Sequence, residues 1–184
     1  MEADKTHFNS IPWCADLLSN PNLIIEPMES RNLKPSTEDA FFAETLQTKS
    51  TLSSGLIFYT RPSSSDRIHK LNALMTLGYA VNGYPKIAHG GLVATIMDES
   101  MGLLLHENKV RGALDGVGNT VTAYLNVSYV KAVPTPSTVL ITAELKEVVG
   151  RKYFVHATVK DPGGEVLTRA EALFIGVKKP DEKL

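Results

Sequence analysis

The feature that most constrains the fold is a stretch near the middle of the chain, residues 92–105, which is apolar on nearly every face of a helix. A helix that is apolar all round is a buried helix. The stretch is also too short to cross a bilayer, which needs about 20 residues. We therefore predict a helix enclosed by the rest of the domain. Asp98 and Glu99 interrupt it, and a carboxylate is rarely tolerated in a core unless it is paired or functional.

The segment that precedes this helix suggests a site for an oxyanion. His89-Gly90-Gly91 places two backbone amides, unshielded by side chains, at the positive end of the helix dipole. Backbone amides in that position can hold the oxygen of a reacting carbonyl. Asp98 on the same helix offers a general base or a nucleophile. Together these groups suit the hydrolysis of an ester or thioester, and this chemistry needs no metal.

The spacing of these groups predicts an oligomer. Asp98 follows His89 by nine residues, which separates them by roughly 13 Å along one helix. They cannot both reach one reacting carbon from within one chain. A two-fold dimer with antiparallel helices places His89 of one copy beside Asp98 of the other. We therefore expect a homodimer, or a homotetramer built from two such dimers, with shared sites.

The rest of the chain reads mainly as strands. Two strands are predicted before the central helix, over 52–60 and 71–81, and four follow it, the first over 120–130 and the last over 166–177. Short connections among the last four favour an antiparallel meander, which must bury one face. The predicted fold class is α+β, with a curved antiparallel sheet wrapped around one long buried helix. Before the strands we predict short helices, one around 14–18 and one over 37–48.

Composition excludes several classes of protein. The chain of 184 residues has a formal net charge of -1, so no basic field attracts nucleic acid. Cys14 is the single cysteine, which excludes a disulfide framework and favours a reducing compartment. No apolar run is long enough to span a membrane. The first 20 residues fit neither a secretory signal nor a transit peptide, so we expect a cytoplasmic location in preference to a mitochondrial or peroxisomal one.

His89-Gly90-Gly91, six further residues and Asp98 resemble the motif of the hot-dog-fold acyl-CoA thioesterases of the HGG-plus-aspartate type. This group includes the phenylacetate-pathway thioesterases and the mammalian thioesterase superfamily members. The likeness continues through 120–131, 149–154 and 171–175. It implies an N-terminal extension over 1–50, a hot-dog domain over 51–178 and a tail over 179–184.

The resemblance also implies an activity and its residues. The chain would hydrolyse fatty or aryl acyl-CoA, in fatty acid metabolism, with coenzyme A as part of the substrate and no separate cofactor. Asp98 would be the base or nucleophile. His89, with the amide of Gly90 or Gly91, would hold the carbonyl oxygen. Thr122 would hold Asp98 or the attacking water, although it is equally well explained as an ordinary β-branched strand residue.

Four further residues are candidates for substrate binding. Lys131, Arg151 and Lys152 stand at predicted strand ends, where cations could meet the phosphates of coenzyme A. Solvated strand ends would explain them as well. Asn82 lies near an asparagine that precedes the HGG motif in bacterial members, but its spacing differs by one residue, which favours a turn residue.

Two other functions stay open. One is a non-catalytic module of the same fold that binds acyl groups or lipids. The other is a hot-dog enoyl-CoA hydratase or dehydratase, although no histidine follows Asp98 at the short spacing of the hydratases.

Overall fold

The computed structural model describes residues 2–63, 66–114 and 119–177. The α-helices in these residues are α1 (Glu2–Asn9), α2 (Pro12–Leu18) and α3 (Gly90–Val110). The strands are β1 (Leu23–Pro27), β2 (Leu52–Thr60), β3 (Lys70–Leu77), β4 (Asn82–Tyr84), β5 (Ile87–Ala88), β6 (Thr120–Tyr129), β7 (Ser137–Val149), β8 (Lys152–Lys160) and β9 (Val166–Gly176). No helix in the described part of the chain combines the length and the apolarity needed to cross a lipid bilayer.

The main sheet has seven antiparallel strands in the order β1-β2-β3-β7-β8-β9-β6, and β4 and β5 form a separate hairpin. The predicted meander holds for β7, β8 and β9 but is wrong for β6, which pairs with β9 instead of β7. The segment 130–136 that follows β6 explains the difference. Seven extended residues span up to about 23 Å, and crossing three strand spacings takes about 14 Å.

Helix α3 fills the concave face of this sheet and contacts β3, β6, β7, β8 and β9. Its buried residues are Val93, Ile96, Met97, Ser100, Met101, Leu103, Leu104, Leu105 and Asn108. The facing strands supply alternate side chains, such as Leu71, Ala73 and Met75 of β3, which oppose Ala143, Ile141 and Val139 of β7. The predicted arrangement of a curved antiparallel sheet around one buried helix is therefore confirmed.

A second, smaller core lies on the outer face of the sheet. Phe8 of α1 and Cys14 and Leu18 of α2 pack against Leu56, Phe58 and Leu74 of β2 and β3. Burial raises the pKa of the Cys14 thiol to about 12, so this sulfur stays protonated. Helix α1 and strand β1 were not predicted, whereas α2 extends the short helix expected around 14–18. The domain boundary at residue 50 stays a prediction.

The helix predicted over 37–48 is wrong, because only one helical turn forms, at Phe41–Thr45. Asp39 has a φ of 60°, in the left-handed region, where an L-residue cannot continue a right-handed helix. The Ser36 hydroxyl accepts a hydrogen bond from the Glu38 amide at 3.3 Å in a local turn before Asp39.

Asn108 attaches the last turns of α3 to the chain segment before β3. Its side-chain oxygen accepts a hydrogen bond from the Ile68 amide at 2.8 Å, and its side-chain nitrogen donates to the carbonyls of Ile68 and Leu104, both at 2.9 Å. Asn108 is fully buried, so water cannot replace these contacts. A sequence pattern does not reveal this role, because an asparagine near a helix end usually faces solvent.

We expect Asn108→Ala to lower the free energy of unfolding by about 3 kcal/mol, since it leaves the amide and carbonyl of Ile68 buried without partners. Urea denaturation measures the change. Asn32→Ala is the matched control, because the exposed amide of Asn32 bonds only Glu29 and its loss should cost under about 0.5 kcal/mol. Equal effects of the two substitutions would contradict this role of Asn108.

Candidate active site

The start of α3 is capped by His89. The Nδ1 atom of His89 accepts a hydrogen bond from the Gly91 amide at 3.0 Å, so the proton of the neutral ring resides on Nε2. Val81, which directly precedes β4, holds this residue in place, because the His89 amide donates to the Val81 carbonyl at 2.8 Å. A Cβ on Gly83 would lie 3.0 Å from the His89 Cα, so the hairpin can approach this closely only with glycine there.

The two glycine amides of the motif are therefore not equivalent. The Gly91 amide is already engaged by the His89 ring. The Gly90 amide donates to no other residue in the described part of the chain. Of the two glycines, Gly90 thus has the amide that is free to bind a ligand oxygen, together with the Nε2 proton of His89.

Tyr129, which sequence reasoning missed, fixes the position of this helix start. Its hydroxyl donates to the Gly90 carbonyl at 2.7 Å, and its ring would lie 3.4 Å from a Cβ at Gly90. A tyrosine at the end of a strand carries no sequence signal for such a contact.

The structure brings Asp98 and Thr122 together. The Thr122 hydroxyl donates to Asp98 Oδ1 at 2.9 Å. Burial raises the pKa of the Asp98 carboxyl, and the hydrogen bond from Thr122 offsets part of this rise. The second carboxylate oxygen stays available to a substrate or a water. His89 lies more than two turns of α3 away from Asp98, so one protomer does not unite the two predicted parts of the site.

A bulge in β6 explains how this strand contacts α3 both at Asp98 and at Gly90. The β6–β9 register shifts between Thr122 and Tyr124, which inserts one extra residue into β6. Side chains on a regular strand alternate between faces, so residues 122 and 129, seven apart, would otherwise point to opposite sides. The extra residue restores the phase, and both Thr122 and Tyr129 reach α3.

Glu99 faces the N-terminal segment instead of β6. Burial raises the pKa of its carboxyl to about 7, and the carboxylates of Asp39 and Asp98 add to the rise. Ser30 and Lys34 lower it. The Ser30 hydroxyl is buried and makes no hydrogen bond within 3.5 Å among the described residues.

Asp98 and Glu99 open into one cleft of about 310 Å³. One wall is formed by α3, a second by the start of β6 and by Tyr153 and Phe174, and a third by the segment Glu29–Asp39. No group of three or more His, Cys, Asp or Glu side chains within 2–63, 66–114 and 119–177 is placed to hold a metal ion.

The structure does not bring the four predicted substrate-binding residues together within one protomer. Lys131 forms an ion pair with Glu165 just beyond the end of β6. Arg151 donates to the Gly176 carbonyl at 3.1 Å, and Gly176 pairs with Thr120 at the start of β6. The length of β6, about 30 Å, therefore separates Lys131 from Arg151 and its neighbour Lys152.

Asn82 is placed next to the motif, but its side chain is in use. Its oxygen accepts a hydrogen bond from the hydroxyl of Thr135, and its backbone pairs with Ala88. Asn82 thus joins the hairpin to the segment that follows β6, which agrees with a structural role in a turn.

We expect Glu99→Gln to change how the free energy of unfolding depends on pH. The Glu99 carboxyl has a pKa of about 7 in the fold and 4.5 ordinarily. Between these values the folded chain binds more protons than the unfolded chain, so the wild type loses stability as pH rises. Above about pH 7 the free energy of unfolding of Glu99→Gln should exceed that of the wild type by about 2 kcal/mol.

Urea denaturation of wild type and Glu99→Gln at about pH 5 and about pH 8 measures this effect. The advantage of the variant should grow with pH. A difference that is the same at both pH values would show that the Glu99 carboxyl titrates normally in the folded chain.

Comparisons with known proteins agree with this geometry. Residues 86–168 match the model of the thioesterase superfamily, and the match includes His89, Gly90, Gly91, Asp98 and Thr122. Acyl-coenzyme A thioesterase THEM4 of Rattus norvegicus is 35% identical over 108 residues, which are 58% of this chain and 43% of that protein. The matched part of the chain thus spans less than half the length of this relative.

Solved structures share the fold. A hypothetical thioesterase protein with coenzyme A from Streptococcus pneumoniae TIGR4 superposes with a TM-score of 0.52 at 19% identity, covering 61% of this chain and 86% of that one. The protein smu.793 from Streptococcus mutans UA159 bound to acetyl CoA gives 0.53 at 20% identity, covering 64% and 88%. The sheet and its helix are therefore a hot-dog fold, and residues 86–168 of this chain are similar to the thioesterase superfamily.

Proposed function

We propose that this protein is an acyl-CoA thioesterase, which hydrolyses the thioester of a fatty or aryl acyl-CoA to the free acid and coenzyme A. The observation that carries the proposal is the half-buried Asp98 carboxylate on α3, which accepts a hydrogen bond from Thr122 and lies within the residues that match the thioesterase superfamily. The relative in Rattus norvegicus is named an acyl-coenzyme A thioesterase. Structures of the same fold have been solved with coenzyme A and with acetyl CoA.

The proposed reaction uses the two halves of the site in different ways. Asp98 removes a proton from water, and the water oxygen forms a bond to the thioester carbonyl carbon. The negative charge that develops on the carbonyl oxygen is held by the Gly90 amide and the Nε2 proton of His89. The carbon–sulfur bond then breaks, and the proton from Asp98 goes to the sulfur of coenzyme A. Direct attack by Asp98 would instead form an anhydride that water hydrolyses.

The exposed strand β6 supports a dimer that completes this site. It is an edge strand of ten residues, and Val121, Tyr124 and Tyr129 on it are 52%, 41% and 54% exposed. A long apolar edge strand is a template for pairing with another chain. The other edge, β1, has only five residues and ends in Pro27, which cannot donate to a ladder.

Antiparallel pairing of two β6 strands would bring the separated groups together. The start of β6 contacts Asp98 through Thr122, and its end contacts Gly90 through Tyr129. When two copies pair head to tail, the start of one strand lies beside the end of the other, about 4.8 Å away. Asp98 of each protomer then faces the Gly90 and His89 end of its neighbour.

The same pairing would assemble the cationic rim. Lys131 follows the end of β6, whereas Arg151 and Lys152 lie near its start. Each rim would combine Lys131 of one protomer with Arg151 and Lys152 of the other, and two or three cations suit the phosphates of coenzyme A.

We expect Asp98→Asn to lower kcat for acyl-CoA hydrolysis by at least about 100-fold, because it removes the base and keeps the shape of the side chain. Thiol release from acyl-CoA esters measures this. Glu107→Gln is the matched control, because it lies on the same helix and also accepts a hydroxyl hydrogen bond, from Tyr59 at 3.1 Å, but does not line the cleft.

Activity of a folded Asp98→Asn protein within a few-fold of wild type would refute the role of Asp98. Absence of thiol release by the wild type from any ester would refute the proposed function. In that case a change in enoyl-CoA absorbance would identify a hydratase, and acyl-CoA binding without turnover would identify a binding module.

We expect the wild type to be at least a dimer, and Tyr124→Lys to shift it towards an inactive monomer. Residue 124 lies near the centre of β6, where the two-fold axis would place like charges close together. Light scattering over a range of concentrations, with specific activity, measures both effects. Val110→Lys, on an exposed residue at the end of α3, is the control. An active wild-type monomer would refute the shared site.

A further inference from the structure

Gly102 in the middle of α3 has no explanation in the packing of the fold. A glycine inside a helix is less favourable than alanine by about 1 kcal/mol. Such a glycine is usually needed where another element approaches closely. A Cβ added at Gly102, however, would meet no atom of the described residues within 4 Å. The missing side chain therefore leaves space open, and that space belongs to the cleft that begins at Asp98.

The position of Gly102 on α3 places it directly along the cleft. Residues four apart on a helix lie above one another, so Asp98, Gly102 and His106 form one row about 12 Å long, and all three line the cleft. A group bonded to a carbonyl carbon beside Asp98 would pass over Gly102 about 6 Å further on. A bulky side chain at 102 would stand in its path.

The sheet side of the cleft offers apolar surface next to the reacting position. Phe174 lies opposite Thr122 in the β6–β9 ladder, and Tyr153 lies opposite Phe174 in the β8–β9 ladder. Both aromatic side chains are almost fully buried and line the cleft. An alkyl or aryl group that leaves the site of Asp98 and Thr122 would contact them at once.

The charges around the cleft exclude the nucleotide end of the substrate. The lining includes the carboxyl groups of Glu29, Glu38, Asp39, Asp98 and Glu99. The lining lysines are Lys34, which pairs with Asp39 at 2.5 Å, and Lys109. This excess of carboxylates would repel phosphates. A volume of about 310 Å³ also lies at the lower limit for small-molecule sites, which suits one part of an acyl-CoA only.

The third wall comes from outside the thioesterase superfamily match. The segment Glu29–Asp39 precedes residues 86–168, and Arg31 fixes it to β2 by donating to the carbonyls of Leu52 at 3.0 Å and Ser53 at 3.5 Å. Ser30 and Lys34 of this segment face Glu99 across the cleft. The shared fold therefore does not by itself determine the width of this cleft.

We propose that the cleft between α3, β6 and the segment Glu29–Asp39 binds the acyl group of the substrate, and that Gly102 sets how long that group can be. The inference rests on the proposed thioesterase activity, since it needs a reacting carbonyl at Asp98. Beyond that activity, the inference identifies the acyl group as the part of the substrate that the cleft binds, and Gly102 as the residue that limits the length of this group.

The test compares wild type, Gly102→Ala and Gly102→Leu on acetyl-, octanoyl- and dodecanoyl-CoA. In Gly102→Leu the ratio of kcat/KM for dodecanoyl-CoA to that for acetyl-CoA should fall by about 10-fold or more, since the four-carbon leucine side chain would occupy the path of the long chain and leave the acetyl group clear. Gly102→Ala is the matched control for helix propensity, because it removes the glycine but adds one methyl group only. Its ratio should change much less than that of the leucine variant.

The outcomes separate this inference from the proposed function. Thiol release by the wild type, with an equal loss for all three esters in Gly102→Leu, would show that the cleft binds the pantetheine part and would overturn the inference. An unchanged ratio in a folded Gly102→Leu protein would overturn it as well. Absence of thiol release by the wild type would instead refute the thioesterase activity.

Folding of the variants is checked by thermal unfolding. Leucine and alanine both favour a helix over glycine, and the space at 102 is open, so both variants should melt at or above the wild-type temperature. Inhibition of acetyl-CoA hydrolysis by free dodecanoate gives a second measurement, which does not depend on turnover of the long ester. Gly102→Leu should weaken this inhibition, and unweakened inhibition would contradict the assignment of the cleft.

Discussion

Helix α3 packs its apolar side chains against five strands of the curved sheet, and this contact positions every part of the candidate site. Because the helix is held along most of its length, its start, its central carboxylates and Gly102 keep fixed separations. Strand β6 can then contact two separate parts of the helix, because Tyr129 bonds Gly90 at its start and Thr122 bonds Asp98 near its centre. A helix on the surface of a sheet would not be held in this way from several sides.

Two adjacent carboxylates on this helix meet different surroundings. Asp98 faces a strand that donates a hydroxyl hydrogen bond to it, whereas Glu99 faces the segment that carries Ser30 and Lys34. The helical turn of about 100° between neighbours is enough to send the two groups to different walls of one cleft. A pair of acids with separated pKa values is a common arrangement for acid–base chemistry, and in the proposed dimer Asp98 would face the Gly90 and His89 of its neighbour.

The sequence was most informative where a pattern is local. The apolar run of α3, the HGG motif and the pairing of Asp98 with Thr122 could be predicted, the last through a family resemblance. The position of β6 could not, because the length of the segment 130–136 permits more than one partner strand. The bulge near Thr122, the contact of Tyr129 with Gly90 and the wall formed by Glu29–Asp39 depend on residues distant in the chain. Asp39 shows a further limit of prediction from sequence. An aspartate does not by itself indicate a left-handed backbone, so the helix pattern over 37–48 prevailed in the prediction.

The small outer core under α1 and α2 also has a consequence for larger assemblies. These helices cover the part of the outer face formed by β2 and β3. On the remaining outer face Glu144 stands opposite His156, and His156 stands opposite Glu171. If a second sheet packed against this face, the charged side chains would lose their hydration, and little apolar surface would be buried to offset that cost. Helices α1 and α2 therefore cover the apolar part of the outer face, through which two such sheets could otherwise pack against each other.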